Sequence, residues 1–284
     1  MVKEITKGEI SSIQDVVEVG MSLRHAWFRG HTRNIGELRP CVFRPQYSSP
    51  EYGINNEFKM AVNFKQGAPA IVDKVPAYDD DLSWLFLMQH HGLPTRLLDW
   101  TESILVALYF AICSDDKEDG ELWAIDPNEL NSKNPLLGFP AKALSNNNVA
   151  KCMARMAFSK NYQQVAKDYE FDRIPENPLA ILPPMHFQRM VMQLSVFTIH
   201  TSLKKEFNIE NKLDGENSIV RYIIPQSSKG KLLDDLSVLG VTPKALFPDL
   251  DGLSKTIVNE IQTKESGPWN PPGFDPSTKE KPQN

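Results

Sequence analysis

The chain predicts an α+β fold. Three observations carry this: stretches with apolar residues at helical spacing, shorter apolar or alternating runs of strand length, and an order that mixes the two without a βαβ rhythm. There is no internal repeat and no linker-like break between two cores, so residues 1–264 read as one domain. The closing stretch 265–284, "ESGPWNPPGFDPSTKEKPQN", is polar and proline-rich and is expected to be a disordered tail.

In chain order, "KGEISSIQDVVEVGMS" predicts a short helix, with Ile13, Val16 and Val17 at helical spacing. "RHAWFRGHT" predicts a strand running into a loop, and "ELRPCVFRPQY" a loop with extended pieces. "NNEFKMAVNFKQGA" is helical, with Phe58, Ala61 and Phe64 on one side. In "YDDDLSWLFLMQHHG" the carboxylates Asp79 to Asp81 suit a helix N-terminus and Gly92 its stop. The next helix is expected to start at Thr101 as N-cap and to run through Leu105, Leu108, Tyr109 and Ile112. "ELWAID" reads as a strand, and the mixed segment after it as helical in "NVAKCMARMAF". "RMVMQLSVFTIHT" alternates, placing Gln193, Ser195, Phe197 and Ile199 on one face of a strand. "SIVRYIIP" is a further strand, followed by helices in "KGKLLDDLSVLG" and "LDGLSKTIVNEIQ".

The bulk numbers restrict function more than they reveal it. The 284 residues are 41% hydrophobic and 24% charged, with net charge −5 and a pI near 5.7, so no global basic field advertises nucleic-acid binding. Cys41, Cys113 and Cys152 are too few and too scattered for a disulfide framework or a zinc site. Cys113 is read as a buried small hydrophobe. Nothing resembles a signal peptide or a membrane span, and the expected setting is cytoplasmic, with no membrane partner. P-loop, dinucleotide-fingerprint, nucleophile-elbow and HExxH patterns are missing from the sequence.

Three constellations remain. In "WFRGHT", Arg29 ends a strand and offers a rigid fork suited to phosphate or carboxylate; Gly30 permits close backbone approach, and His31 and Thr32 add donors. The alternative is a structural ion pair for Arg29 and a simple turn at Gly30. In "QHHGLPTRLLDWT", adjacent His90 and His91 point about 100° apart on a helix and do not suit one metal ion, so no metal is expected. One of them, His91 being the candidate, would instead wall a pocket. Thr95 and Arg96 fall in a loop, where Arg96 pairing with Asp99 would either shape a site or simply fix the loop. In "HFQRMVMQLSVFTIH", Gln193 on an apolar strand needs partners, either a ligand or neighbouring backbone.

Together "WFRGHT", "QHHGLPTRLLDWTESILVALYFA", "QRMVMQLSVFTIHT" and "LGVTPKALFPDLDGLS" resemble the FRG-domain family, over about residues 26 to 254. More distantly, the arginine ending the first strand is similar to the first motif of arginine-type ADP-ribosyltransferases. That likeness implies a split, mostly antiparallel sheet flanked by helices, with NAD as cofactor. It implies a phosphate-holding role for Arg29, with Gly30 and His31 beside it. Thr95 or Thr101 would stand near the second motif, Tyr109 would line the pocket, and Gln193 would take the late-strand catalytic position. There the superfamily carries a glutamate; Gln193 can bond a ribose but supplies no negative charge, which leaves Asp99 or Glu102 to provide it. The resemblance implies transfer of ADP-ribose to a protein or nucleic acid by a bacterial toxin or phage-defence effector. An antitoxin or chaperone would then be a partner, with the tail as docking segment, and "RPCVFRPQY" would offer basic residues to a nucleic-acid acceptor. The competing reading is a non-catalytic nucleotide or nucleic-acid sensor using the same pocket.

Overall fold

The computed structural model describes residues 5–34, 37–45, 47, 53–114, 117–137, 143–144, 146–185, 187–202, 204–213, 215 and 218–263. The expected tail at 265–284 lies outside the described residues. The fold is α+β. Its strands are β1 (Thr6–Glu9), β2 (Trp27–His31), β3 (Leu97–Thr101), β4 (Gly120–Ile125), β5 (Ala143–Leu144), β6 (Leu179–Leu182), β7 (Ser195–Ile199) and β8 (Ile219–Ile224). They form one sheet in the order β1-β8-β4-β2-β3-β7-β6-β5, antiparallel except where β1 joins β8 and β5 joins β6 at the edges.

The helices are α1 (Ile13–Ser22), α2 (Gly53–Gly67), α3 (Asp81–His90), α4 (Ile104–Ile112), α5 (Pro127–Ser132), α6 (Asn148–Arg155), α7 (Tyr162–Asp168), α8 (Gln188–Met192), α9 (Ile209–Lys212), α10 (Gln226–Val238), α11 (Pro243–Leu246) and α12 (Leu250–Thr263). Several begin as their sequences dictate. Ser12 and Asp15 form a reciprocal capping box on α1, and Asp80 accepts the Ser83 amide at the start of α3. Gly92, at φ +77°, turns the chain away from α3.

Side-chain alternation sorts the core onto two faces. On one face Trp27, Leu98, Trp100, Trp123, Ala180 and Val196 make a continuous layer. The other face carries two separate cores. Leu97, Leu179, Ile181, Phe197 and Ile199 pack under α3 and α6. Phe28, Leu122, Ala124, Val220 and Ile224 pack under α4 and α10. The boundary between these cores falls between β2 and β3, and there the sheet itself is split. β2 pairs with β4 through five residues and β3 with β7 through five, whereas β2 and β3 share the single pair Phe28–Thr101.

Four expectations are corrected here. Residues 7–9, expected within a helix, form β1 together with Thr6; "TKGE" carries no apolar signal because it is an edge strand, pinned to β8 by backbone and by Arg221 on the Thr6 hydroxyl. Thr101 ends β3 rather than capping a helix, and Ser103 is the N-cap of α4, accepting from the Val106 amide. "LLDWT" hides its strand character because Leu97 and Leu98 are buried on opposite faces, as in any central strand covered on both sides. Gln193 sits at the C-terminus of α8, before β7 begins; Leu194 then turns the chain at φ +46°. Cys113, expected buried, is exposed just beyond α4, while Cys152 is buried.

Candidate functional site

The split in the sheet opens a cleft of about 410 Å³ between the α3 and α4 halves, within the size range of small-ligand sites. β2 and β3 form its floor, the last turn of α3 and residues 189–197 one wall, and α4 the other.

Gly30 explains how β2 and α4 meet. A Cβ at this position would lie 1.9 Å from the Ala107 carbonyl oxygen and 2.6 Å from the Ala111 amide nitrogen. On β4, Gly120 makes a similar approach to Ala111. The glycine of "FRG" therefore lets the strand lie directly against a helix that presents alanines, and the close partner is the protein's own backbone.

Arg29 fills the gap this geometry leaves. Beyond Phe28–Thr101 the β3 carbonyls lose their β2 partners, and the Arg29 guanidinium substitutes for the missing strand by donating to the Asp99 carbonyl oxygen at 2.5 Å. The same Nη1 stands 3.8 Å from the Asp99 carboxylate. Arg29 Nε donates to His31 Nε2 at 2.9 Å, so His31 must be neutral and carry its proton on Nδ1. Burial, then the charges of Arg29 and Arg44, drive the His31 pKa down to about 2. Burial also lowers the Arg29 pKa, against the pull of Asp99, but a guanidinium remains a cation. On the floor opposite, Asp99 leaves 52% of its side chain open to the cleft. Gln89 holds it there, donating from Nε2 to Oδ2 at 2.7 Å.

The wall is aromatic and cationic. Phe86, Phe110, Phe197 and Trp100 line the cleft. His90 lines it too, stacked on Phe187 with ring centroids 4.4 Å apart. Burial, His91 and Arg189 lower the His90 pKa. Arg189 completes this side, lying over the Phe247 ring at 4.5 Å.

Of the residues expected from sequence, Arg29, Gly30, His31, Asp99, Thr101 and Gln193 line this cleft. Two of them have their groups engaged elsewhere. The Thr101 hydroxyl donates to the Gln193 carbonyl oxygen and accepts the Ser103 amide. Gln193 Nε2 donates to the Leu246 carbonyl oxygen. Four expectations fail for position. His91 is exposed at the end of α3, and His90 faces the cleft instead. Tyr109 packs into the α4 core against Phe110 and Phe247, and Phe110 takes the lining position; one residue along a helix turns the side chain by about 100°.

Thr95 is buried and bonds Gln89 and the Leu97 amide. Arg96 pairs with Glu57, not Asp99: it is fully buried, gives two bonds to that carboxylate, and bonds the Met153 carbonyl and the Tyr162 hydroxyl. Burial pulls its pKa down, but Glu57 and Tyr162 outweigh this and hold it above the usual arginine range. Sequence reasoning gave no cleft role to Gln89, Phe86 or Phe197. A glutamine in the last turn of an apolar helix was the one available signal. Among the described residues no group of three or more His, Cys, Asp or Glu could hold a metal ion, and no helix is long and apolar enough to cross a membrane.

Fold and site thus define an α+β protein with a cleft at a split in its sheet, over an arginine that replaces strand pairing. Residues 24–120 match the family model of the FRG domain. The match runs from just before β2 through the first residue of β4, so it includes Arg29, Gly30, Gln89, Asp99 and α4, while Arg189 and β7 lie beyond it. No curated protein and no solved structure matched the chain.

Proposed function

We propose that the cleft binds a nicotinamide dinucleotide and that the protein transfers ADP-ribose from NAD to a macromolecule, protein or nucleic acid. One observation carries this reading: a largely buried guanidinium, Arg29, and a half-exposed carboxylate, Asp99, face one cleft with aromatic walls. Arg29 and Arg189 supply cations for the diphosphate, and Phe86, Phe110 and Phe197 supply flat apolar surface for the rings. In the transfer, the bond between C1′ of the ribose and the nicotinamide nitrogen breaks, and its electron pair leaves with nicotinamide. The acceptor's nucleophile bonds to C1′ and loses its proton. Positive charge develops on the ribose in between, and a fixed carboxylate stabilises it. Asp99 takes this role in place of Gln193, whose amide carries no charge and is bonded to Leu246.

A second reading, a nucleotide sensor without turnover, is favoured by that same engagement of Gln193 and by the doubly used Thr101 hydroxyl. The two separate in one experiment: nicotinamide release from labelled NAD, with and without cell extract, alongside NAD binding by calorimetry. The transferase reading expects release, label on one class of macromolecule, and loss of release in Asp99→Asn with NAD still bound. Arg29→Lys keeps the charge but loses the fork, and should weaken NAD binding about 10- to 100-fold. Binding without release under any extract condition selects the sensor, and absence of NAD binding overturns both readings as they concern NAD.

A further inference from the structure

Asp99 poses a physical problem for any role in the cleft. Its side chain is half exposed on a strand at the split, with Arg29 at 3.8 Å as its ion-pair partner. A carboxylate so placed is free to swing among rotamers, and one that must meet a developing charge has to be held still. The structure holds it through a chain of three hydrogen bonds. The Leu97 amide donates to Thr95 Oγ1 at 3.2 Å. The Thr95 hydroxyl donates to Gln89 Oε1. Gln89 Nε2 donates to Asp99 Oδ2 at 2.7 Å.

The polarity of this chain follows from its ends. Gln89 can present either its oxygen or its nitrogen to Asp99. Turning the oxygen toward a carboxylate would oppose two acceptors, whereas the observed sense gives every group a partner of opposite kind. Thr95 is 1% exposed and fixed by the backbone of β3, so it anchors the relay in the core. Gln89, in the last turn of α3, carries that rigidity across to the cleft.

We infer that Gln89 is a positioning residue, oriented by Thr95, that fixes the Asp99 carboxylate opposite Arg29 for its role in the cleft. The consequence for catalysis rests on the transferase reading; the positioning itself does not. It also gives the threonine of "LPTR" a role that acts through a residue six positions earlier.

Two measurements test it. In ligand-free protein, NMR side-chain couplings of Asp99 should report one χ1 rotamer in the wild type and averaged rotamers in Gln89→Met and Thr95→Val, while Thr95→Ser keeps the single rotamer. Unchanged couplings in Gln89→Met overturn the proposal whatever the protein does with NAD. For turnover, Gln89→Met should lower kcat for nicotinamide release about tenfold, as expected for one bond to a charged group, with KM little changed. Thr95→Val should match it, Thr95→Ser should restore the rate, and the double variant should be no worse than either single one. Additive losses, or a full rate in Gln89→Met, refute the relay. Wild-type protein that releases no nicotinamide but shows the rotamer change refutes the transferase reading and leaves the positioning intact.

Discussion

Replacing Gly30 by alanine tests whether the "FRG" glycine serves the fold or the ligand. The added Cβ would lie 1.9 Å from the Ala107 carbonyl oxygen and 2.6 Å from the Ala111 amide nitrogen. Ordinary carbon–oxygen contacts begin near about 3.4 Å, so α4 would have to retreat by roughly 1.5 Å. Both obstructing atoms are backbone and cannot rotate away. A gap of about 1 Å already forfeits up to about half of a dispersion contact, and Ala107, Leu108 and Ala111 are fully buried at this contact. Overpacking of this kind costs about 1–3 kcal/mol, and the rigid obstruction places Gly30→Ala near about 3 kcal/mol. For a chain of this size that corresponds to a fall in Tm of about 6–12 °C. Thermal and urea unfolding of ligand-free protein measure it. Gly67→Ala is the control: nothing lies within 4 Å of its Cβ and its φ of −86° suits alanine, so it should hold or slightly raise stability. A Gly30→Ala protein as stable as wild type refutes the close approach. If that protein has also lost its ligand, the glycine serves binding rather than helix packing.

Two further outcomes follow from the buried polar groups. Glu57→Gln leaves the fully buried Arg96 guanidinium without its charge partner and should destabilise by about 3–5 kcal/mol in urea unfolding; a loss under about 1 kcal/mol would mean that water reaches the pair. His31 and His200 are held neutral, chiefly by burial, with pKa values near 2 and about 3. Their folded values lie below the unfolded one, so the unfolded state binds more protons as pH falls below about 6.5. Between about pH 6.5 and 5, stability should fall with pH by up to about 1.4 kcal/mol per unit for each histidine. A flat profile of unfolding free energy across that window would show that these histidines are not held neutral.

Much of the fold and part of the site are legible in the sequence. Helical spacing marks α1 and α2, Asp80 and Gly92 bound α3, and apolar runs give β2, β4 and β8, because these signals act within a few residues. Arg29, Gly30, His31 and Asp99 stand out as residues too polar or too constrained for ordinary core, and all four line the cleft.

Only the tertiary structure decided the rest, wherever a residue's role depends on what lies beside it from distant chain. β3 reads as a loop until both its faces are covered, and β1 has no signal apart from the β8 edge it joins. Arg96 and Arg29 are both arginines in constrained stretches. One meets Glu57 from α2 and becomes core, while the other meets an unpaired strand carbonyl and becomes the floor of a cleft. Local sequence sets which groups are present and which backbone angles they favour. The charge, burial and partners that turn such a group into a strut or a site come here from chain 39 and 70 residues away, and those exist only once the two half-sheets have closed around their split.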